Sequence, residues 1–182
     1  IGDRTNRRHK PGRAFERTGY RFDVLCDYGA FRDLQRHRPL TLEWQSLSPR
    51  HGYETPKGIA QAGMTQEWDR VMEDSESTWE IVAEHAGADV AQYAVAMAHR
   101  IRFVMQMTAR EAMHLIELRS SPQGHPTYRK VAQQMHDLID RTAGHRAIAA
   151  AMKYVDYSDV DLERLEAERR TEAKRKAAQT SR

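Results

Sequence analysis

The residues best suited to chemistry lie together in Arg36-His37-Arg38-Pro39-Leu40-Thr41-Leu42-Glu43-Trp44-Gln45-Ser46. Three adjacent cationic or titratable side chains suit phosphate oxygens and the electron-rich edge of a planar ring. Arginine adds a rigid, permanently charged fork that matches phosphate bidentately. The stretch then alternates, with Leu40, Leu42 and Trp44 on one face and Thr41, Glu43 and Gln45 on the other, which predicts a strand. Ser46 closes it with a hydroxyl. By composition alone, the same residues also suit a solvated basic turn ahead of an edge strand.

The elements that must position this cluster are legible on both sides. Residues 1 to 19 carry Arg4, Arg7, Arg8, Lys10, Arg13 and Arg17 and read as an extended or loop-like arm, with a turn at Pro11-Gly12. From Tyr20 to Cys26, Tyr20, Phe22, Val24 and Cys26 alternate with Arg21, Asp23 and Leu25, a second strand. Ala30 to Gln35 is a short helix that delivers the basic cluster. A long connection marked by Pro49, Gly52, Pro56, Gly58 and Gly63 follows the strand at 39–47. A helix from Thr65 places Trp68, Val71, Met72, Ser75, Trp79, Val82 and Ala83 on one face and stops at Gly87. A further helix turns Val90, Ala91, Ala94, Val95 and Ala98 inward. Residues 100 to 107 alternate Ile101, Phe103, Met105 and Met107 with Arg102, Val104 and Gln106, a strand or a continuing helix. Thr108-Ala109-Arg110-Glu111 is a capping-box pattern opening a helix that runs to Arg119. Beyond a loop with Pro122, Gly124 and Pro126, another helix buries Val131, Met135, Leu138 and Ile139 and stops at Gly144. A short helix covers Ala147 to Met152. Residues 159–182 form a polar helix or tail, acidic early and basic late as a helix dipole favours.

The totals bound the class. The chain has 182 residues, 40% hydrophobic and 30% charged, enough for one domain with a sizeable core and with no run apolar enough to span a membrane. Cys26 is the single cysteine, so no internal disulfide forms. Nothing at the start resembles a signal peptide. Both point to a cytoplasmic setting. A net charge of +3 is too mild to argue for nucleic acid, and the basic arm lacks the interleaved aromatics of a single-strand platform. The nine histidines offer no pair with convincing metal-ligand spacing, so no metal is expected. The start at Ile1 reads as a piece of a longer chain.

Arg36-His37-Arg38, seven residues and then Ser46 resembles the signature of the flavin-dependent thymidylate synthases. Further along, Thr108-Ala109-Arg110-Glu111-Ala112-Met113-His114-Leu115-Ile116-Glu117-Leu118-Arg119 is similar to the pattern that closes the family's C-terminal helix–strand–helix portion. Ala88-Asp89-Val90-Ala91-Gln92 stands where the family has its Val-Ala-Arg helix. The resemblance covers about residues 9 to 150 and implies an α+β fold, an antiparallel sheet with packed helices and a helix-rich C-terminal half. It implies one such domain over 1–158, lacking the family's N-terminal strand and helix, with a charged extension over 159–182. It also implies a tetramer whose sites lie between subunits, or pairing with a second copy of the domain. FAD would be the cofactor, NADPH and methylene-tetrahydrofolate the co-substrates and dUMP the substrate. Arg36, His37 and Arg38 would meet flavin and nucleotide and, with Ser46, stand in the catalytic set. Thr108, Arg110 and His114 would complete the flavin site. Ser46, Arg50, Gln92 and Arg119 would contact dUMP. No cysteine nucleophile is implied.

The chain also departs from the family pattern. Glu43-Trp44 replaces an Asn-Glu pair, and Leu47-Ser48-Pro49 intervenes before Arg50 and Tyr53 take up the usual Arg-Tyr. Gln92 stands for a phosphate-binding arginine, and Thr108 and His114 stand for asparagines. Each lost charge-assisted hydrogen bond is worth about 1.5–3 kcal/mol. Two readings therefore remain: an enzyme of this family, or a non-catalytic domain of the same fold that completes or scaffolds a partner's site.

Overall fold

The computed structural model of the protein describes residues 4–158; the expectation of a charged helix or tail over 159–182 lies outside the described residues. The fold is α+β, with a three-stranded antiparallel sheet and, among the described residues, seven α-helices. By compactness the chain divides into two units: residues 21–107, and those up to 20 together with those from 108 onward.

The first unit holds nearly all of the sheet. Strand β1 (Gly19–Asp27), β2 (Leu40–Trp44) and β3 (Arg100–Thr108) lie in the order β1-β3-β2. The alternation expected for β1 is observed, with Tyr20, Phe22, Val24 and Cys26 buried. The open choice over residues 100–107 resolves as a strand that buries Ile101, Phe103, Met105 and Met107. β2 runs antiparallel to β3 with Leu40 opposite Met107, Leu42 opposite Met105 and Trp44 opposite Phe103. Directly opposed residues share a face, so the apolar sides of both strands coincide. Helix α1 (Tyr28–Leu34) packs its ring onto that face: Phe31 meets Phe103 edge-on at 4.7 Å between centroids. The Asp27 carboxylate starts α1 by accepting from the Ala30 N–H at 2.7 Å, so the segment Asp27-Tyr28-Gly29 caps a helix as well as ending a strand.

The connection after β2 holds more structure than its prolines and glycines suggest. It contains a 3-10 turn (Pro49–His51), a bridge between Tyr53 and His99, and the short helix α2 (Lys57–Gln61). Helix α3 (Thr65–Ala86) forms where predicted and ends at Gly87, but it buries only Met72 completely. Val71, placed on the inner face from its spacing, is 59% exposed. Helix α4 (Ala88–Ala91) gives way at once to a 3-10 turn, Gln92–Ala94, so the continuous inner face expected from Val90 to Ala98 is not formed and Ala91 alone is fully buried there.

In the second unit Thr108 caps α5 (Ala109–Arg119), its hydroxyl accepting from the Glu111 N–H at 3.3 Å. Ala112, Leu115 and Ile116 are buried as predicted. Helix α6 (Pro126–Asp137) packs on α5 and runs into a π turn, Leu138–Thr142, which turns Leu138 outward although its spacing put it in the core. Helix α7 (Arg146–Ala151) follows. The basic arm is not simply extended. Arg4 is buried in a bidentate pair with Glu117 at 2.7 Å to each oxygen, and it also donates to the carbonyls of Arg7, His9 and Ala151.

Candidate functional site

In residues 21–107 the loop after β2 is fixed on several sides. The Gln45 N–H donates to the Arg102 carbonyl at 3.1 Å, and the Arg100 N–H donates to the Gly52 carbonyl at 2.9 Å, so both ends of the loop are tied to β3. Gly52, at φ 69°, takes a left-handed conformation that lets the chain turn back to the sheet. The Tyr53 hydroxyl donates to Asp69 on α3 at 2.7 Å. In the middle, the Leu47 N–H donates to the Gln92 side-chain carbonyl at 3.0 Å. Between loop and helices lies an open cavity of about 370 Å³ lined by Gln45, Ser46, Leu47, Ser48, Arg50, His51, Trp79 and Ala88. That volume is near the lower end of the roughly 300–1,000 Å³ typical of small-molecule sites. The Arg50 guanidinium lies 5.7 Å from the centre of the Trp79 ring, within cation–π range.

Arg36, His37 and Arg38 sit at the turn between α1 and β2. Arg36 is exposed, donating to the Arg32 carbonyl at 3.2 Å and lying 3.5 Å from Asp33. His37 is buried, and Arg38 is exposed. Trp44, at the end of β2, is 57% exposed yet keeps one edge 6.0 Å from Phe31, between ring centres. Cys26 is buried behind the sheet, and burial together with Asp27 pushes its thiol up to about 12, so it offers no thiolate near neutral pH.

In the other unit Arg110 lies in the first turn of α5 and is held by Glu16, which also binds Arg13 at 3.0 Å. Hydrogen bonds from Arg110 first, and Arg13 second, hold the Glu16 carboxyl below its ordinary range. Arg119, in the last turn, stacks over Tyr128 with 5.3 Å to the ring centre. His114 is exposed on α5, one turn after Arg110.

A family model described as thymidylate synthase complementing protein matches residues 3–145. The chain belongs to this family, the flavin-dependent thymidylate synthases. Among curated relatives it is 42% identical over 174 residues to a UPF0159 protein of Chlamydia pneumoniae, covering 94% of this chain and 32% of the relative. It is 42% identical over 172 residues to a UPF0159 protein of Thermoplasma acidophilum, covering 94% of this chain and 34% of the relative. A UPF0159 protein of Chlamydia muridarum is 39% identical over 173 residues, 95% of this chain and 32% of its own length. The chain thus spans about a third of the length of these relatives.

Of the residues the family signature singles out, Ser46 and Arg50 come together on one cavity, and Gln92 is joined to the same loop through Leu47. Arg36, His37 and Arg38 share the turn before β2. Thr108, Arg110, His114 and Arg119 lie on or cap α5, in the other compact unit. Sequence reasoning left Gln45, Ser48 and His51 out of the candidate set, and read Trp79 chiefly as core. It also missed Glu16 as the partner of Arg110. In the sequence Trp79 shares one helix face with Trp68 and Met72, which reads as core and gives no sign of the cavity.

Proposed function

We propose that this chain contributes to flavin-dependent methylation of dUMP, with methylene-tetrahydrofolate as carbon donor and NADPH as reductant. The reading is supported most by the two family signatures in order inside one match, with Ser46 and Arg50 lining one cavity. The resemblance assigns FAD to Arg36, His37, Arg38, Thr108, Arg110 and His114, and dUMP to Ser46, Arg50, Gln92 and Arg119. The chemistry FAD supplies when bound is hydride transfer. The side chains bind and orient. Arg50 offers a planar fork to a phosphate, Ser46 a hydroxyl, and the Arg36 and Arg38 guanidinium groups offset negative charge developing on a ring. Arg110, near the start of α5, adds a cation where backbone N–H groups already favour an anion. Glu16 holds that cation, so a bound phosphate must compete with a carboxylate.

A second reading has its own support. Gln92 stands where the family has an arginine, and its side-chain carbonyl is engaged with the Leu47 N–H. The chain also spans only a third of its relatives. On that reading the domain completes a site together with another copy or another part of a longer protein, in a tetramer or a pair of domains.

The visible absorption spectrum of the purified chain, before and after adding FAD, separates the two. A flavin band that shifts on binding and weakens in Arg110→Ala supports the enzyme. A folded chain that takes up no FAD removes that reading for the isolated domain and leaves the completing role.

A further inference from the structure

Most arginines whose contacts define the fold are neutralised by carboxylates. Arg4 pairs with Glu117, Arg100 with Glu54, Arg102 with Asp23, Arg110 with Glu16 and Arg129 with Asp156. Arg50 differs. Among the described residues its cationic head has an indole face for a neighbour and no carboxylate partner, and it lines a cavity whose other walls carry no acidic side chain. An uncompensated guanidinium in an acid-free cavity attracts an oxyanion.

The cavity supplies the rest of such a site. Ser46 and Ser48 bring hydroxyls that can donate, and Gln45 holds His51 at 2.8 Å. Leu47, Ala88 and the Trp79 ring form an apolar wall. The Trp79 indole N–H is buried and has no hydrogen-bond partner among the described residues. An arginine side chain on an open loop has many rotamers, and fixing it on a ring face lowers the entropy lost when a ligand arrives.

We propose that Trp79 is the positioning residue for Arg50, holding its guanidinium on the indole face so that the cavity binds a phosphate monoester. The inference rests on the reading of Arg50 as a nucleotide contact and extends it to a side chain that the family signature does not include. Trp79 acts through Arg50 and touches no reacting atom.

A double-mutant cycle tests this, using the 182-residue chain and isothermal titration with inorganic phosphate and with dUMP. Arg50→Ala abolishes most of the binding. Trp79→Leu weakens it about two- to fivefold, the size of an exposed cation–π contact, and Trp79→Phe retains most of it. In the Arg50→Ala background, Trp79→Leu has no further effect. Additive losses from the two substitutions overturn the proposal, as does a wild-type chain that binds neither probe. If Trp79→Leu fails to fold, the wild-type chain still decides the matter. Its Trp79 indole N–H and Arg50 Nε–H resonances should shift together as phosphate is added, and an Arg50 shift with a static Trp79 sinks the idea. The outcome is independent of flavin uptake: a colourless chain showing the coupling keeps this inference, and a flavin-binding chain without it loses this inference alone.

Discussion

His99 is almost wholly buried at the start of β3, where its ring meets Tyr53 at 6.2 Å and its Nδ1 finds no partner among the described residues. Burial lowers its pKa below the ordinary 6.5 and outweighs the raising effects of Ala96 and Glu76. A histidine held neutral in the fold takes up its proton more readily when unfolded. Stability is therefore full above about pH 6.5 and declines as pH falls from there towards the lowered folded value. Urea midpoints measured between pH 8 and pH 5 should show this decline in the wild type and a flatter profile in His99→Gln. Equal slopes would mean that His99 is protonated as easily in the fold as outside it. Tyr53, which faces this ring, is raised by its hydrogen bond to Asp69 and stays neutral throughout that range. None of this was legible in the sequence. His99 was one of nine histidines, and its bridge to Tyr53 joins residues far apart in the sequence.

At the scale of elements, the break between α3 and α4 brings Ala88 back to the cavity that holds Arg50. It depends on Gly87, whose φ of 89° and ψ of 158° belong to a region that side chains essentially never occupy. A Cβ there would meet nothing within 4 Å, so the cost of Gly87→Ala is backbone strain alone. That strain is worth about 1–3 kcal/mol, seen as a lower urea midpoint. Gly12→Ala provides the contrast: Gly12 has φ −60° and equally open space, so the change should be neutral or stabilise by about 0.4–1 kcal/mol. Equal effects at both positions would remove the strain argument. Gly87 was readable as a helix stop because the apolar face of α3 ends there. The brevity of α4 was not, because Val90, Ala91, Ala94 and Val95 have helical spacing and only tertiary context turns the backbone into a 3-10 turn after Ala91. The strands were the most legible elements. Their period-2 pattern buries one face directly, so Ile101, Phe103, Met105 and Met107 could be assigned from spacing, whereas α3 carries apolar residues around more of its surface than its own unit covers.

At the scale of the whole molecule, that uncovered surface and the chain's length bear on one question. Val90, Tyr93 and Met97 follow one another along the segment after α3, and Tyr93 is 94% exposed. Exposed aromatic and aliphatic side chains close together mark surfaces that another protein covers. Among the described residues no helix is long and apolar enough to cross a membrane, so a bilayer-spanning role for the described helices does not explain them. The relatives are about three times longer than this chain, and at a third of that length each offers room for further copies of such a domain. Self-association of the isolated chain is the expected consequence, with Tyr93 near the centre of the contact. Sedimentation equilibrium over a dilution series should return a mass above the 21.1 kDa of one chain, and Tyr93→Asp should shift the population down towards the monomer's 21.1 kDa. The substitution lies on a fully exposed ring and leaves the core untouched, so its circular dichroism should match the wild type. A wild-type chain that sediments as a monomer at all concentrations would assign the covering surface to a partner other than a second copy of this chain. An unchanged oligomer in Tyr93→Asp would move the contact elsewhere on the molecule.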